Sequence, residues 1–189
     1  MKRLLAPVAA LIAAIALTSS AMAYGPPPDD ATARYEVDFL TDMIDHHGMA
    51  VQMAEACVDK AIHEPLADMC QSIVTSQTAE IERMQGWLDQ WYGLAHEPAM
   101  TPGMMAQMER LIALSGERFE IRFMKTMVRH HRQAMVEADG CLDRAWHSDL
   151  AGLCRDIIAA QSAEIRQMQQ WLCEWYDLCG YAGEPRNVA

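Results

Sequence analysis

An all-α chain, a four-helix bundle made of two copies of one helical hairpin, is what three features of the sequence predict. First, residues 35–92 align without a gap to residues 119–176 at a constant offset of 84, and 25 of the 58 pairs are identical, far above chance. Second, apolar residues recur at helical spacing within each copy. Leu40, Met43, Ile44, His47, Val51 and Ala54 share a face of one helix, while Leu66, Cys70, Ile73, Gln77, Ile81, Met84, Leu88 and Trp91 share a face of the next. Third, strand-like alternation is missing throughout. Two hairpins supply the four helices of a bundle.

Residues 1–23 read as an export leader. They carry a Lys2-Arg3 head, an apolar run from Leu4 to Leu17 and the small-residue ending Ala21-Met22-Ala23. The run is shorter than the roughly 20 residues that cross a bilayer, so cleavage after Ala23 is expected rather than an anchor. Residues 24–34 are expected to be a flexible segment. The first hairpin takes residues 35–92 and breaks at "AIHEP", where Pro65 suits a first helical turn. Residues 93–118 form a Met-rich linker marked by Pro and Gly, with a short helix expected from Met104 to Leu114. The second hairpin takes residues 119–179, with Ser148 as the expected N-cap after its break. Residues 180–189 are a tail, and 35–179 form one bundle.

Loss of Lys2 and Arg3 with the leader would move the formal charge from −11 to −13. An acidic chain is a poor partner for nucleic acid or an anionic membrane surface and a better one for cations. Six cysteines in an exported chain predict disulfides. Cys57 and Cys70 flank the first hairpin loop, Cys141 and Cys154 the second, and Cys173 pairs with Cys179 across the end of the last helix. No CxxC or CxxCH occurs, so thioredoxin-type chemistry and covalent haem both lack their motif.

Chemistry concentrates in "MIDHHGMAVQM" and its echo "MVRHHRQAM". Ten residues back from Cys57 is His47, and ten forward from Cys70 is Glu80. In an antiparallel hairpin both lie at one level, about 15 Å from the bridge. Met43 then faces Met84, and the second copy pairs His131 with Glu164 and Met127 with Met168. His47 lies centrally on the apolar stripe, His46 at its flank beside Met53, and Gln77 points inward. An inward histidine hydrogen-bonded to Gln77 or Glu80, with methionine as filler, is the structural reading. Metal binding is the functional one. Imidazole with thioether favours soft metals, above all Cu(I), with silver as a mimic. Glu-x-x-His pairs for di-iron and HExxH for zinc are absent. No organic cofactor is expected, although haem held without a covalent bond by His and Met stays open. His63 and His147, matched in the two loops, are expected to cap or pack there, as Trp87, Trp91, Trp171 and Trp175 are expected to be plain core. Met104 and Met108 form an i, i+4 pair that either packs or ligates.

"FLTDMIDHHGMAVQMA" followed by "QTAEIERMQGWL" resembles the signature of family 305 of the domains of unknown function, the CopM-like proteins. The resemblance spans Tyr35 to Tyr176. It implies a ferritin-like four-helix bundle and, for some members, export and binding of copper or silver through Met and His in copper tolerance. No established enzyme activity is implied. The implied ligands are His46, His47, Met43, Met53 and Met84 in the first copy and His130, His131, Met127 and Met168 in the second. Gln77, Glu80, Gln161, Glu164, His63, His147, Met104 and Met108 are supporting or alternative ligands. One departure stands out, because Glu137 occupies the place matching Met53. The chain is thus expected to be a periplasmic or secreted metal-ion binder, with another periplasmic copper protein as partner and no membrane contact after leader cleavage. A copper-cycling oxidase and a purely structural interaction module are the competing readings.

Overall fold

The computed structural model describes residues Pro26–Gly180; the leader and most of the tail lie outside them. Five α-helices run α1 Asp30–Lys60, α2 Glu64–Trp87, α3 Pro102–Ile112, α4 Gly116–Leu142 and α5 Ser148–Tyr176, with no strand among the described residues. A π-helical turn, Leu88–Tyr92, extends α2. None of these helices is long and apolar enough to cross a membrane.

Helix α1 starts five residues before the repeat does. Asp29 caps it by accepting the Thr32 amide at 2.8 Å, so residues 30–34 are helical rather than flexible. The linker helix also begins earlier than expected. Thr101 accepts the Met104 amide and Pro102 sits in the first turn, so the helix is Pro102–Ile112, not Met104–Leu114. Ser148 is the first residue of α5 rather than its cap. His147 takes the cap position without a capping side chain, because its ring and amide serve the contact described next.

Helices α1 and α4 cross at the centre of the molecule, antiparallel, and a matched pair of buried carboxylates fixes their direction. Glu36, near the start of α1, accepts the Trp146 and His147 amides at 2.7 and 2.9 Å and the His147 Nδ1–H at 2.6 Å. Tyr92 Oη donates to the same carboxylate. Glu120, near the start of α4, accepts the Ile62 and His63 amides at 2.7 and 2.9 Å, the His63 ring at 2.7 Å and the Tyr176 hydroxyl. Each hairpin thus holds the other's loop. Both carboxylates are fully buried, and this density of donors is what makes burying a charge tolerable. The tryptophans complete the locks: Trp91 stacks on His147 at 3.8 Å and Trp175 on His63 at 4.0 Å. They are half-buried partners of the loops, not plain core.

The antiparallel crossing splits the core into two apolar clusters. One joins Phe39, Leu40, Met43 and Ile44 to Met84, Leu88 and the Cys141–Cys154 end of the second hairpin. The other joins Met53, Ala54 and the Cys57–Cys70 end to Phe119, Phe123, Met127 and Met168. Disulfides Cys57–Cys70, Cys141–Cys154 and Cys173–Cys179 are all formed. Opening the first, as Cys57→Ala with Cys70→Ala, is expected to cost roughly 3 kcal/mol by the chain-entropy account. Calorimetry would read this as a Tm lowered by on the order of 10 °C, and an unchanged Tm would refute it.

Candidate metal centre

Between the two apolar clusters lies a layer of four imidazoles. The hairpin register sets its outer members. His47 on α1 reaches Glu80 on α2, with Nε2 2.7 Å from Oε2, and His131 on α4 reaches Glu164 on α5 at 2.5 Å. Both rings are fully buried while their carboxylates touch solvent. A carboxylate only accepts, so in the neutral ring the proton sits on Nε2 and Nδ1 keeps a lone pair. That lone pair has no partner among the described residues in either histidine. A carboxylate orienting an imidazole in this way is how proteins set the tautomer of a metal-binding histidine.

The inner members come from the helix crossing. His46 and His130 meet with ring centroids 3.6 Å apart and planes inclined by 32°. Centroids of His46 and His47 lie 6.3 Å apart, and those of His130 and His131 6.2 Å. The result is one row across the bundle, from Glu80 through four rings to Glu164. Neither nitrogen of His46 or His130 has a hydrogen-bond partner among the described residues. Burial, with the nearby His47 and His131 rings adding like-charge repulsion, pushes His46 down to about 3. Burial and the adjacent His46 ring likewise hold His130 well below its ordinary value. Both stay neutral and so retain a lone pair.

Thioethers flank the row on both sides. Met43, Met53, Met84, Met127 and Met168 are all fully buried. Met43 lies one turn before His47, and Met84 one turn beyond Glu80; Met127 and Met168 repeat this around His131 and Glu164. The two sets sit in opposite core clusters, with Met53 in the second. Gln77 and Gln161 are buried, each with an unpaired Oε1. Glu137, in the place of Met53, is instead half-exposed and accepts from Gln133 at 3.0 Å.

Some expected ligands fall elsewhere. His63 and His147 belong to the Glu120 and Glu36 locks; His63, for one, is 16 residues along from His47, roughly 24 Å at helical rise. Met108 packs on the core edge. Met104 packs there too and also lines an open cleft of about 440 Å³ shared with His46 and His130. Met49, on the same cleft, is not among the expected ligands, since its counterpart in the repeat is Gln133, although it lies three residues after His46. Among the described residues no three His, Cys, Asp or Glu side chains form a group that could hold a metal.

The sequence profile of the family described as Domain of unknown function (DUF305) matches residues 36–172. The chain belongs to the DUF305 family. Its fold is similar to that of CopM in the Cu(I)-bound form, with 30% identity, a TM-score of 0.67 and coverage of 75% of this chain and 97% of the other. It is also similar to CopM in the Ag-bound form obtained by co-crystallisation, at 32% identity, a TM-score of 0.64 and coverage of 75% and 97%. A DUF305 protein from Streptomyces coelicolor matches at 28% identity, with a TM-score of 0.65 and coverage of 74% and 93%. No curated protein matches this DUF305 chain in sequence.

Proposed function

We propose that this chain is an exported copper-binding protein that takes up Cu(I), and Ag(I) as its mimic, for periplasmic sequestration, tolerance or transfer. It binds and releases the ion rather than turning over a substrate. The observation that carries this reading is the set of unpaired, buried ring nitrogens on His46, His47, His130 and His131. A buried polar atom without a partner costs about 1–3 kcal/mol, and among the described residues eight of the nine such atoms belong to the histidine row or the glutamines beside it. Such an expense at one place points to a ligand. Neutral imidazole beside thioether suits a soft monovalent ion, and thioethers have no proton to lose, so that part of the donor set persists in acid. CopM, at 30–32% identity, has been solved with Cu(I), Cu(II) and Ag bound. Export rests on the leader read in residues 1–23.

Lone pairs lie in the plane of an imidazole ring, whereas His46 and His130 present their faces to each other. Uptake by this pair therefore requires the rings to turn. Titration of Cu(I) against a competing chelator tests the reading. Wild type is expected to take up Cu(I) with a raised Tm, by linkage to the native state. Equal binding by a His46/His47/His130/His131→Ala variant would remove it.

A further inference from the structure

We infer that Met49, itself nearly fully buried, and Met104 form a second, weaker soft-cation site within the cleft that His46 and His130 also line, through which the ion passes to and from those rings. This rests on the reading of the histidine row as a copper site and adds the route into it. The cleft opens between α1, α3 and α4 on the side of the α1–α4 crossing covered by the linker, and the two inner imidazoles line it. The sulfur-bearing residues on its walls are Met49 from α1 and Met104 from α3. Met49 lies three residues after His46, one helical turn away on the same face.

Met104 is a positioned donor rather than one on a loose arm. The linker is tied down first: Asp45 Oδ1 accepts the His96 ring N–H at 2.7 Å and the Ala99 amide at 2.8 Å. Pro98 seats directly on Gly48, where a Cβ would lie 2.6 Å from the proline Cβ. That fit explains a glycine where the second copy has Arg132. Leu111 then anchors α3 in the core. Met104 Sδ accepts the Thr101 amide at 3.5 Å, which places the sulfur at the N-terminal end of α3. A thioether has a further lone pair beyond that contact.

The same surroundings make the hold weak. The N-terminal end of α3 and Arg129 both line the cleft, and the positive dipole end and the guanidinium charge oppose a cation there. Strong soft donors in an unfavourable field suit passage rather than storage. The ion is exchanged by ligand substitution alone: a Cu–S bond to Met104 forms as a bond to the incoming carrier breaks, and Met49 and the imidazoles follow. No electron is transferred.

The test uses Met49→Leu, Met104→Leu and the double variant in the full-length mature chain, with Met105→Leu as control, since Met105 is exposed on α3 and outside the cleft lining. Leucine for methionine conserves volume, and thermal unfolding confirms the fold. Stopped-flow transfer of Cu(I) to bicinchoninate is read beside the equilibrium affinity. A residue on the route changes both rates alike, so the double variant should exchange about tenfold or more slowly with affinity nearly unchanged. Transfer at the wild-type rate, an equal slowing in Met105→Leu, or lost affinity without slower exchange would each overturn the proposal. If wild type binds no Cu(I) at all, the copper reading itself fails and the route falls with it.

Discussion

Replacing Glu120 by alanine is expected to cost about 3–5 kcal/mol, the range found when one partner of a buried charged network is removed. The substitution strands four donors at once: two loop amides, the His63 ring and the Tyr176 hydroxyl. Tm should fall by on the order of 10 °C, and a fall of a degree or two would show that the lock is incidental. Acid should reproduce part of this loss in the wild type. Burial pushes the Glu120 carboxyl up, but the bonds from Tyr176, the His63 ring and the two amides together outweigh it and hold the pKa below its ordinary 4.5. A depressed carboxyl stabilises the fold fully above its unfolded value and ceases to do so as the pH falls through its lower folded value. The melting temperature of wild type should therefore drop more steeply below pH 4.5 than that of Glu120→Gln.

Leucine at both His46 and His130 is expected to have opposite effects on the ion and on the empty protein. Apolar replacement of both rings removes unpaired nitrogens from the interior, and such exchanges are nearly neutral or stabilising. The metal-free variant should melt at or above the wild-type temperature. Its Cu(I) affinity should drop by roughly 100-fold or more, beyond the 10–100-fold that follows loss of a group merely orienting a ligand. Calorimetry without metal and chelator competition with it read the two effects separately. A variant less stable than wild type that still binds Cu(I) would mean the rings serve packing. The contrast between stability and affinity is the mark of a site maintained for a ligand.

Much of this was legible in the sequence, and for a physical reason. A hairpin bridged by a disulfide at its loop has one register, so counting from Cys57 and Cys70 places His47 opposite Glu80, where the 2.7 Å contact lies. What such counting omits is the surface between hairpins. Helical periodicity identifies the face each helix turns to its own partner, and His46 sits off that face, so it reads as a flank residue. The crossing with α4 turns that flank into the centre. The carboxylate locks left a fainter signal. Glu36 and Glu120 are identical across the repeat and lie on the apolar stripe, four residues before Leu40 and Met124, where an isolated charge needs a remote partner. The starts of α1 and α3 were marked by Asp29 and by Thr101-Pro102, short capping signals that fall outside the repeated unit.

The reciprocal locks carry a consequence for how such a molecule is put together. Each half supplies the carboxylate that the other half's bend requires, so neither half is finished by itself. A polypeptide of half this length would find its missing acid only on a second copy, docked about a twofold axis between the facing His46 and His130 rings. The covalent chain thus reproduces the geometry of an isologous homodimer. A tethered pair lets one side of the axis differ from the other, and the connecting segment occupies that side.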